Sequence, residues 1–123
     1  MLPLIISFML SGMQLPFNEL IAPPIDLSRS ELYAIATSSA AKYKLSPKMT
    51  KRMIQTITCE SLWEVKAISP TGDYGIVQLN KKAHPEITEK QMFDPYYSLD
   101  YMASEFSRGR QRAWVCYSLL WPS

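Results

Sequence analysis

Residues 59–80, CESLWEVKAISPTGDYGIVQLN, decide the fold of this chain, and they divide into three parts. Glu60 lies at the end of a segment with helical spacing. A polar turn with Pro and Gly follows at residues 69–73, and a short apolar run at residues 75–79 then contains one amide, Gln78. Glu60 is the first residue to weigh as a functional group, because it stands where an apolar helix meets this turn.

The segment before Glu60 predicts a helix that begins at Ser46. Ser46 is a good N-cap, and Pro47 suits the first helical turn, where its missing N–H is not needed. At about 100° per residue, three apolar side chains fall on the same face as Glu60: Met49, Met53 and Ile57. Burial on that face would raise the pKa of the carboxyl group, as a general acid requires. The alternative is that the helix ends at Glu60 and the carboxylate turns outward into solvent.

The residues from Glu60 onward resemble the soluble lytic transglycosylase family, which shares the lysozyme fold. The matching positions are the Glu-Ser pair at residues 60–61, a Ser nine residues after the Glu, and a Gly-x-x-Gln segment that begins fifteen residues after it. The resemblance covers residues 53–80 and extends more loosely through Asp94 and Pro95. It implies a mainly α (α+β, lysozyme-like) domain with a small β-hairpin or loop beside the active-site cleft.

The resemblance also implies the activity and the roles of several residues. Glu60 would act first as acid and then as base in cleaving the MurNAc-GlcNAc β-1,4 bond of peptidoglycan, leaving 1,6-anhydro-MurNAc ends. Ser69 would hydrogen-bond near Glu60, and Gln78 would shape the cleft and hold substrate. Tyr117 would reach Glu60 and steady it. Tyr74 is a candidate either for stacking on a sugar ring or for packing under the hairpin.

A classical glycosidase needs a second carboxylate as nucleophile or base. The candidates near Glu60 are Glu64, Asp73 and the more distant Glu86. Asp73 is the best placed of the three, although a turn-forming role also explains it. Goose-type lysozymes place an acidic residue just after the Gln segment, where this chain has Asn80. A hydrolytic muramidase (lysozyme) therefore remains one alternative, and a catalytically inactive peptidoglycan-binding module is another.

Other helices are predicted from capping residues. The first starts near Ser28 or Ser30, and Ser28 with the Glu three residues later matches a capping box. A short helical piece starts at Thr88. Another helix runs from Asp94, as its N-cap, to Gly109, and a terminal helix covers residues 111–120.

Helical periodicity stops between residues 65 and 80. Pro70 and Gly72 mark a turn between two apolar segments, residues 65–68 and 75–79. We predict a small two-stranded hairpin or an irregular loop there rather than a large sheet.

Length and composition limit the function classes. A chain of 123 residues with 47% hydrophobic and 20% charged residues predicts one globular domain. A net charge of +2 is too small to predict a nucleic-acid partner. His84 has no Cys/His cluster with it, so neither a metal site nor a cofactor is predicted, and it reads as an exposed loop residue or a rim contact to sugar. We expect a monomer whose partner is the peptidoglycan glycan strand.

The N-terminus reads as a separate segment. Residues 1–27 are predicted to be an apolar leader or signal-like segment with a connector, and residues 28–121 to be the lysozyme-like domain. The stretch 1–17 lacks the positive start of a standard signal peptide, and Pro and Gly interrupt it too often for a stable membrane span. A non-standard signal peptide and an N-terminal segment packed on the domain both remain open.

Cys59 and Cys116 are the two cysteines of the chain. In a secreted protein such a pair predicts a disulfide, which would tie the Glu60 helix to the last helix. The chain-entropy model gives about 4 kcal/mol of stabilisation for a loop of this length. Two buried free thiols are the alternative. The predicted location is secreted, periplasmic or in the cell wall, in a bacterium or a phage.

Overall fold

The computed structural model describes residues 26–123, so the predicted leader at residues 1–17 lies outside the described part. Two helices come first, α1 (Arg29–Lys42) and α2 (Pro47–Ser61). The hydroxyl of Ser28 accepts the N–H of Glu31, whose carboxylate accepts the N–H of Ser28 in return. The hydroxyl of Ser46 caps α2 and Pro47 takes its first position. Both predicted helix starts are confirmed.

The second half holds α3 (Glu89–Met92), α4 (Pro95–Ser107), a single 3₁₀ turn (Gln111–Ala113) and α5 (Val115–Leu120). Thr88 caps α3 with a capping box, and Asp94 caps α4 through the N–H of Tyr96. Gly109 follows the end of α4 with φ of 76°, a left-handed conformation that suits glycine. The starts predicted at Thr88 and Asp94 and the end at Gly109 are confirmed.

The terminal helix predicted over residues 111–120 is wrong at one point, because the chain is extended at Trp114. The indole N–H of Trp114 donates to the main-chain oxygen of Val77 at 2.7 Å in a buried hydrogen bond. A continuous helix would not leave Trp114 in this extended geometry, so the chain divides into a 3₁₀ turn and a separate short helix.

The hairpin pairs β1 (Asp73–Tyr74) with β2 (Leu79–Asn80), antiparallel, with Asp73 opposite Asn80 and Tyr74 opposite Leu79. A small two-stranded hairpin is therefore confirmed, but the strands predicted at 65–68 and 75–79 are wrong. Gly75 and Gln78 have φ of 86° and 56°, which bends the apolar run into the turn itself.

The core lies where α1, α2 and α4 pack together, closed on one side by the hairpin turn. The side chains of Ile76 and Val77 point from that turn into the core and are fully buried. These three helices contribute further large buried side chains: Leu32, Met53, Ile57, Leu99, Met102 and Phe106. The described chain is mostly helical with one small antiparallel sheet, which confirms the predicted fold class. Within residues 26–123 none of the helices combines the length and apolar composition needed to cross a membrane.

Candidate active site

A cavity of about 370 Å³ lies between the end of α2, the hairpin, α4 and the start of α5. Three of the residues singled out from the sequence line it: Glu60, Asp73 and Gln78. A larger groove of about 650 Å³ runs between α1 and α2, but none of its lining residues is a carboxylate. The cavity at Glu60 is therefore the candidate active site.

Glu60 lies in the last turn of α2, on the face that also carries Met53 and Ile57, and it is half-buried. Its Oε2 accepts a hydrogen bond from the main-chain N–H of Cys116 at 3.1 Å. Burial raises the pKa of the carboxyl group above its ordinary value, and the negative charge of Asp73 adds to this. The hydrogen bond from Cys116 opposes the shift without cancelling it. Glu60 is thus held in its protonated form to a higher pH than an exposed glutamate.

Asp73 lies at the start of the hairpin, and three side-chain donors form hydrogen bonds with its carboxylate. The hydroxyls of Ser69 and Thr71 each donate to Oδ2 at 2.8 Å, and the side-chain amide of Asn80 donates to Oδ1 at 3.0 Å. Partial burial raises the pKa of Asp73, but the three donors outweigh it, so the net pKa lies below the ordinary value. Asp73 is therefore ionised at neutral pH.

One cavity thus holds two carboxyl groups whose surroundings push their pKa values in opposite directions. The difference has a clear local cause: burial dominates at Glu60, which accepts one hydrogen bond, whereas three side-chain hydrogen bonds outweigh burial at Asp73. A protonated and an ionised carboxyl group in one site can divide the work of proton donation and positive-charge stabilisation. This arrangement suits cleavage of a glycosidic bond.

Ser69 supports the candidate site through Asp73. Its hydroxyl donates to Asp73 and accepts the main-chain N–H of Asp73 at 3.0 Å. The predicted hydrogen bond near Glu60 is thus made to Asp73, which lines the same cavity, because the turn that contains Ser69 folds back on Asp73. Ser69 positions the second carboxylate rather than the first.

Gln78 forms part of the cavity wall and fixes the hairpin turn. Its side-chain amide donates to the main-chain oxygens of Gly75, at 3.0 Å, and Ala67, at 3.2 Å. These bonds tie the turn to the segment before it, so the amide shapes the cavity in which Glu60 lies. A direct contact of Gln78 with substrate remains a prediction.

Tyr117 is buried, with 2% of its surface exposed, and its hydroxyl accepts a hydrogen bond from Arg52 at 2.9 Å. The prediction that its hydroxyl reaches Glu60 is therefore wrong, and binding of substrate by Tyr117 stays a prediction. The guanidinium groups of Arg52 and Arg112 also lie near its ring, so packing and charge hold it away from the cavity. The contact to Glu60 comes instead from the main chain of the preceding residue, Cys116.

Tyr74 stacks on Phe93, with ring centroids 5.6 Å apart and an interplanar angle of 16°. The ammonium group of Lys81 lies 5.9 Å from the centre of the Tyr74 ring. Tyr74 does not line the cavity at Glu60. These contacts favour the packing role over stacking on sugar.

The two cysteines form the predicted disulfide, Cys59–Cys116, which is confirmed. It joins the last turn of α2 to α5, as expected from the sequence. Cys59 precedes Glu60, and Cys116 supplies the N–H that Glu60 accepts. The disulfide therefore lies directly beside the candidate acid.

The far end of the cavity is lined by residues that the sequence did not single out as a group: His84, Tyr101, Glu105 and Trp114. The rings of His84 and Tyr101 meet edge to face at 5.7 Å, and Tyr101 meets Trp114 at 6.4 Å. Glu105 forms an ion pair with Arg110 at 3.4 Å. Aromatic residues on α4 and before α5 have the spacing of core residues, so no local signal marked them as cavity walls.

Comparison with known proteins gives one match. The family model described as Transglycosylase SLT domain matches residues 34–113, about two thirds of the chain. The matched part contains Glu60, Asp73 and Gln78 and ends before Cys116. No curated protein and no solved structure matches the chain.

Proposed function

This chain belongs to the transglycosylase SLT domain family, and on that premise we propose that it is a peptidoglycan lytic transglycosylase with Glu60 as its catalytic acid and base. The proposed substrate is the glycan strand, cleaved at the MurNAc-GlcNAc β-1,4 bond. The observation that carries the proposal is Glu60 itself, a half-buried carboxyl group with a raised pKa at the wall of the cavity.

In the proposed first step, protonated Glu60 gives its proton to the glycosidic oxygen as the bond from that oxygen to C1 of the MurNAc residue breaks. Positive charge then develops on C1 and the ring oxygen. The ionised carboxylate of Asp73 lines the same cavity and supplies a negative charge that favours this state. The leaving GlcNAc carries the transferred proton as its new hydroxyl group.

In the second step, the 6-hydroxyl of the same MurNAc residue attacks C1, and the Glu60 carboxylate takes the hydroxyl proton. The product is a 1,6-anhydro-MurNAc end, Glu60 is protonated again, and no water is consumed. An intramolecular nucleophile reaches C1 more readily than a free water molecule, because it is already held close to C1.

The proposed place of action is outside the cytosol, at the cell wall. The substrate of the family is found there, and a structural disulfide persists in oxidising compartments.

The test is mass spectrometry of the muropeptides released from purified peptidoglycan. We expect 1,6-anhydro-MurNAc products from the wild-type protein and a loss of at least about 100-fold in rate for Glu60→Gln. Glu64→Gln is the matched control, since Glu64 is exposed and lies outside the cavity, and it should keep wild-type activity. Full activity in Glu60→Gln would refute the assignment of the acid.

A hydrolytic muramidase is the second candidate, and the position and ionised state of Asp73 favour it specifically. In that reaction water attacks C1, and Asp73 stabilises the transition state or bonds to C1. The released ends would then be reducing ends, one water heavier than the anhydro product. Release of neither product by a folded protein that still binds peptidoglycan would favour the inactive binding module.

A further inference from the structure

The hydrogen bond from Cys116 to Glu60 joins residues that are far apart in the chain. A disulfide bond links Cys116 to the residue that precedes Glu60. Cys116 N–H donates to Glu60 Oε2 at 3.1 Å, and the sulfur of Cys116 is bonded to Cys59, the residue just before Glu60. The donor and the acceptor are thus held to each other by a disulfide one residue away from the acceptor.

The helix that carries this donor is short. α5 is six residues long, and the side chain of its N-cap residue, Trp114, makes no capping hydrogen bond. Val115 and Leu119 are each about 70% exposed, whereas Cys116 and Tyr117 are its buried residues. A helix this short depends on tertiary anchors. Trp114 and Tyr117 anchor it to Val77 and Arg52, and the disulfide ties it to the residue beside Glu60.

We propose that the Cys59–Cys116 disulfide is a positioning device for the acid, which holds the Cys116 N–H against the Glu60 carboxylate so that the thiol–disulfide state of this pair sets catalytic activity. The inference rests on the proposed role of Glu60. Cys116 lies beyond residues 34–113, the part of the chain that matches the family model.

Loss of the Cys116 N–H donor would change the pKa of Glu60 in a defined direction. The Cys116 N–H stabilises the ionised form of Glu60 and lowers its pKa, so its departure raises that pKa further. A general acid must be protonated, and activity falls as the pH rises through its pKa. The alkaline limb of the activity profile should therefore move to higher pH on reduction, by about one pH unit, the scale of a hydrogen bond to a charged group. The maximal rate should fall, because the carboxyl group loses the contact that orients it.

The other ionisable groups around Glu60 lie outside α5, the helix that the disulfide holds. They come from the hairpin, the loop after β2 and α4, and all line the same cavity: Asp73, His84, Tyr101 and Glu105. The hydroxyl of Tyr117 on α5 faces Arg52 rather than Glu60. A shift of the alkaline limb on reduction therefore reports the loss of the Cys116 donor.

The experiment compares the pH profile of peptidoglycan cleavage by the oxidised protein, by the protein reduced with a phosphine, and by the Cys59→Ser/Cys116→Ser double variant. We expect the reduced protein and the double variant to share the lower maximum and the shifted limb, and the double variant to be insensitive to the reductant. Asp100→Asn is the matched control, since it removes the charge and one of the two acceptor oxygens that bind Lys42 and Tyr43, outside the cavity lining. It should lower the melting temperature and leave the alkaline limb where it was.

Circular dichroism at the assay temperature accompanies each profile. An unchanged limb in a folded, reduced protein would overturn the inference, and so would unfolding on reduction, because the disulfide would then act through global stability. Nuclear magnetic resonance adds a readout independent of catalysis. In the oxidised protein the Cys116 amide proton should titrate with Glu60, and this titration should vanish in Glu60→Gln. Wild-type activity in Glu60→Gln would instead defeat the proposed function itself.

Discussion

Substituting Ala for Gly75 adds one methyl group where the hairpin turn meets the end of α3. A Cβ atom at Gly75 would lie 1.9 Å from the main-chain oxygen of Met92 and 2.9 Å from its carbon. Met92 cannot easily retreat, because it is fully buried and the same oxygen accepts a hydrogen bond from the buried hydroxyl of Ser98 at 2.9 Å. The turn must therefore move away from α3 by about 1.5 Å or more to regain ordinary contact.

The expected cost has two parts. A φ of 86° disfavours any residue with a Cβ by about 1–2 kcal/mol, and the clash with Met92 adds about 1–3 kcal/mol. Together they lower the free energy of unfolding by about 2–5 kcal/mol, or about 8–20 °C in melting temperature for a domain of this size. Activity should fall further than stability does, because Asp73 and Gln78 flank the displaced residue.

Gly72→Ala separates the two contributions. Gly72 has nearly the same φ, 84°, but a Cβ there meets nothing within 4 Å. It should lose only about 1–2 kcal/mol, from backbone conformation alone. Thermal unfolding followed by circular dichroism, with muropeptide release as the activity assay, measures both variants. Equal losses of melting temperature in the two variants would refute the close approach of the turn to α3.

Three further outcomes follow from the site. Asp73→Asn removes a negative charge that raises the pKa of Glu60, so the alkaline limb of the pH–activity profile should move to lower pH. In the same variant, a rate loss beyond about 100-fold would favour hydrolysis, and a loss within about 10-fold would favour transglycosylation. Folding raises the pKa of Glu60 above the ordinary glutamate pKa of 4.5, so ionisation of Glu60 destabilises the folded protein as the pH rises above 4.5. Glu60→Gln should therefore raise the melting temperature at pH 7 and leave it unchanged at pH 4. Trp114→Phe leaves the buried oxygen of Val77 without its donor and should cost about 1–3 kcal/mol in chemical denaturation, whereas an unchanged denaturation midpoint would contradict that bond.

Features that depend on neighbouring residues were predictable from the sequence. The caps at Ser28, Ser46, Thr88 and Asp94 each join a side chain to a backbone N–H two or three residues away. The local pattern therefore contains all the information that such a helix start needs. The helical face shared by Glu60 and its apolar neighbours was equally visible, because helix geometry alone places it.

Features that depend on distant residues were not predictable in this way. The apolar run at residues 75–79 has the composition of a strand, but the approach of Gly75 to Met92 makes it a turn. Tyr117 is buried against Arg52, 65 residues away, rather than against Glu60. The hydrogen-bond partners of Asp73 are close to it in the sequence. Their convergence on one carboxylate nevertheless depends on how the hairpin closes.

The disulfide also closes a covalent ring around the cavity at Glu60. All the side chains that line the cavity belong to residues 60–115, between the two cysteines, whereas α1 and nearly all of α2 lie outside that segment. The candidate active site is thus built within one covalently closed segment of the chain. One proteolytic nick at the exposed Lys81 or Lys82 would open the ring without releasing a fragment, and the nicked enzyme would migrate as one molecule until it is reduced.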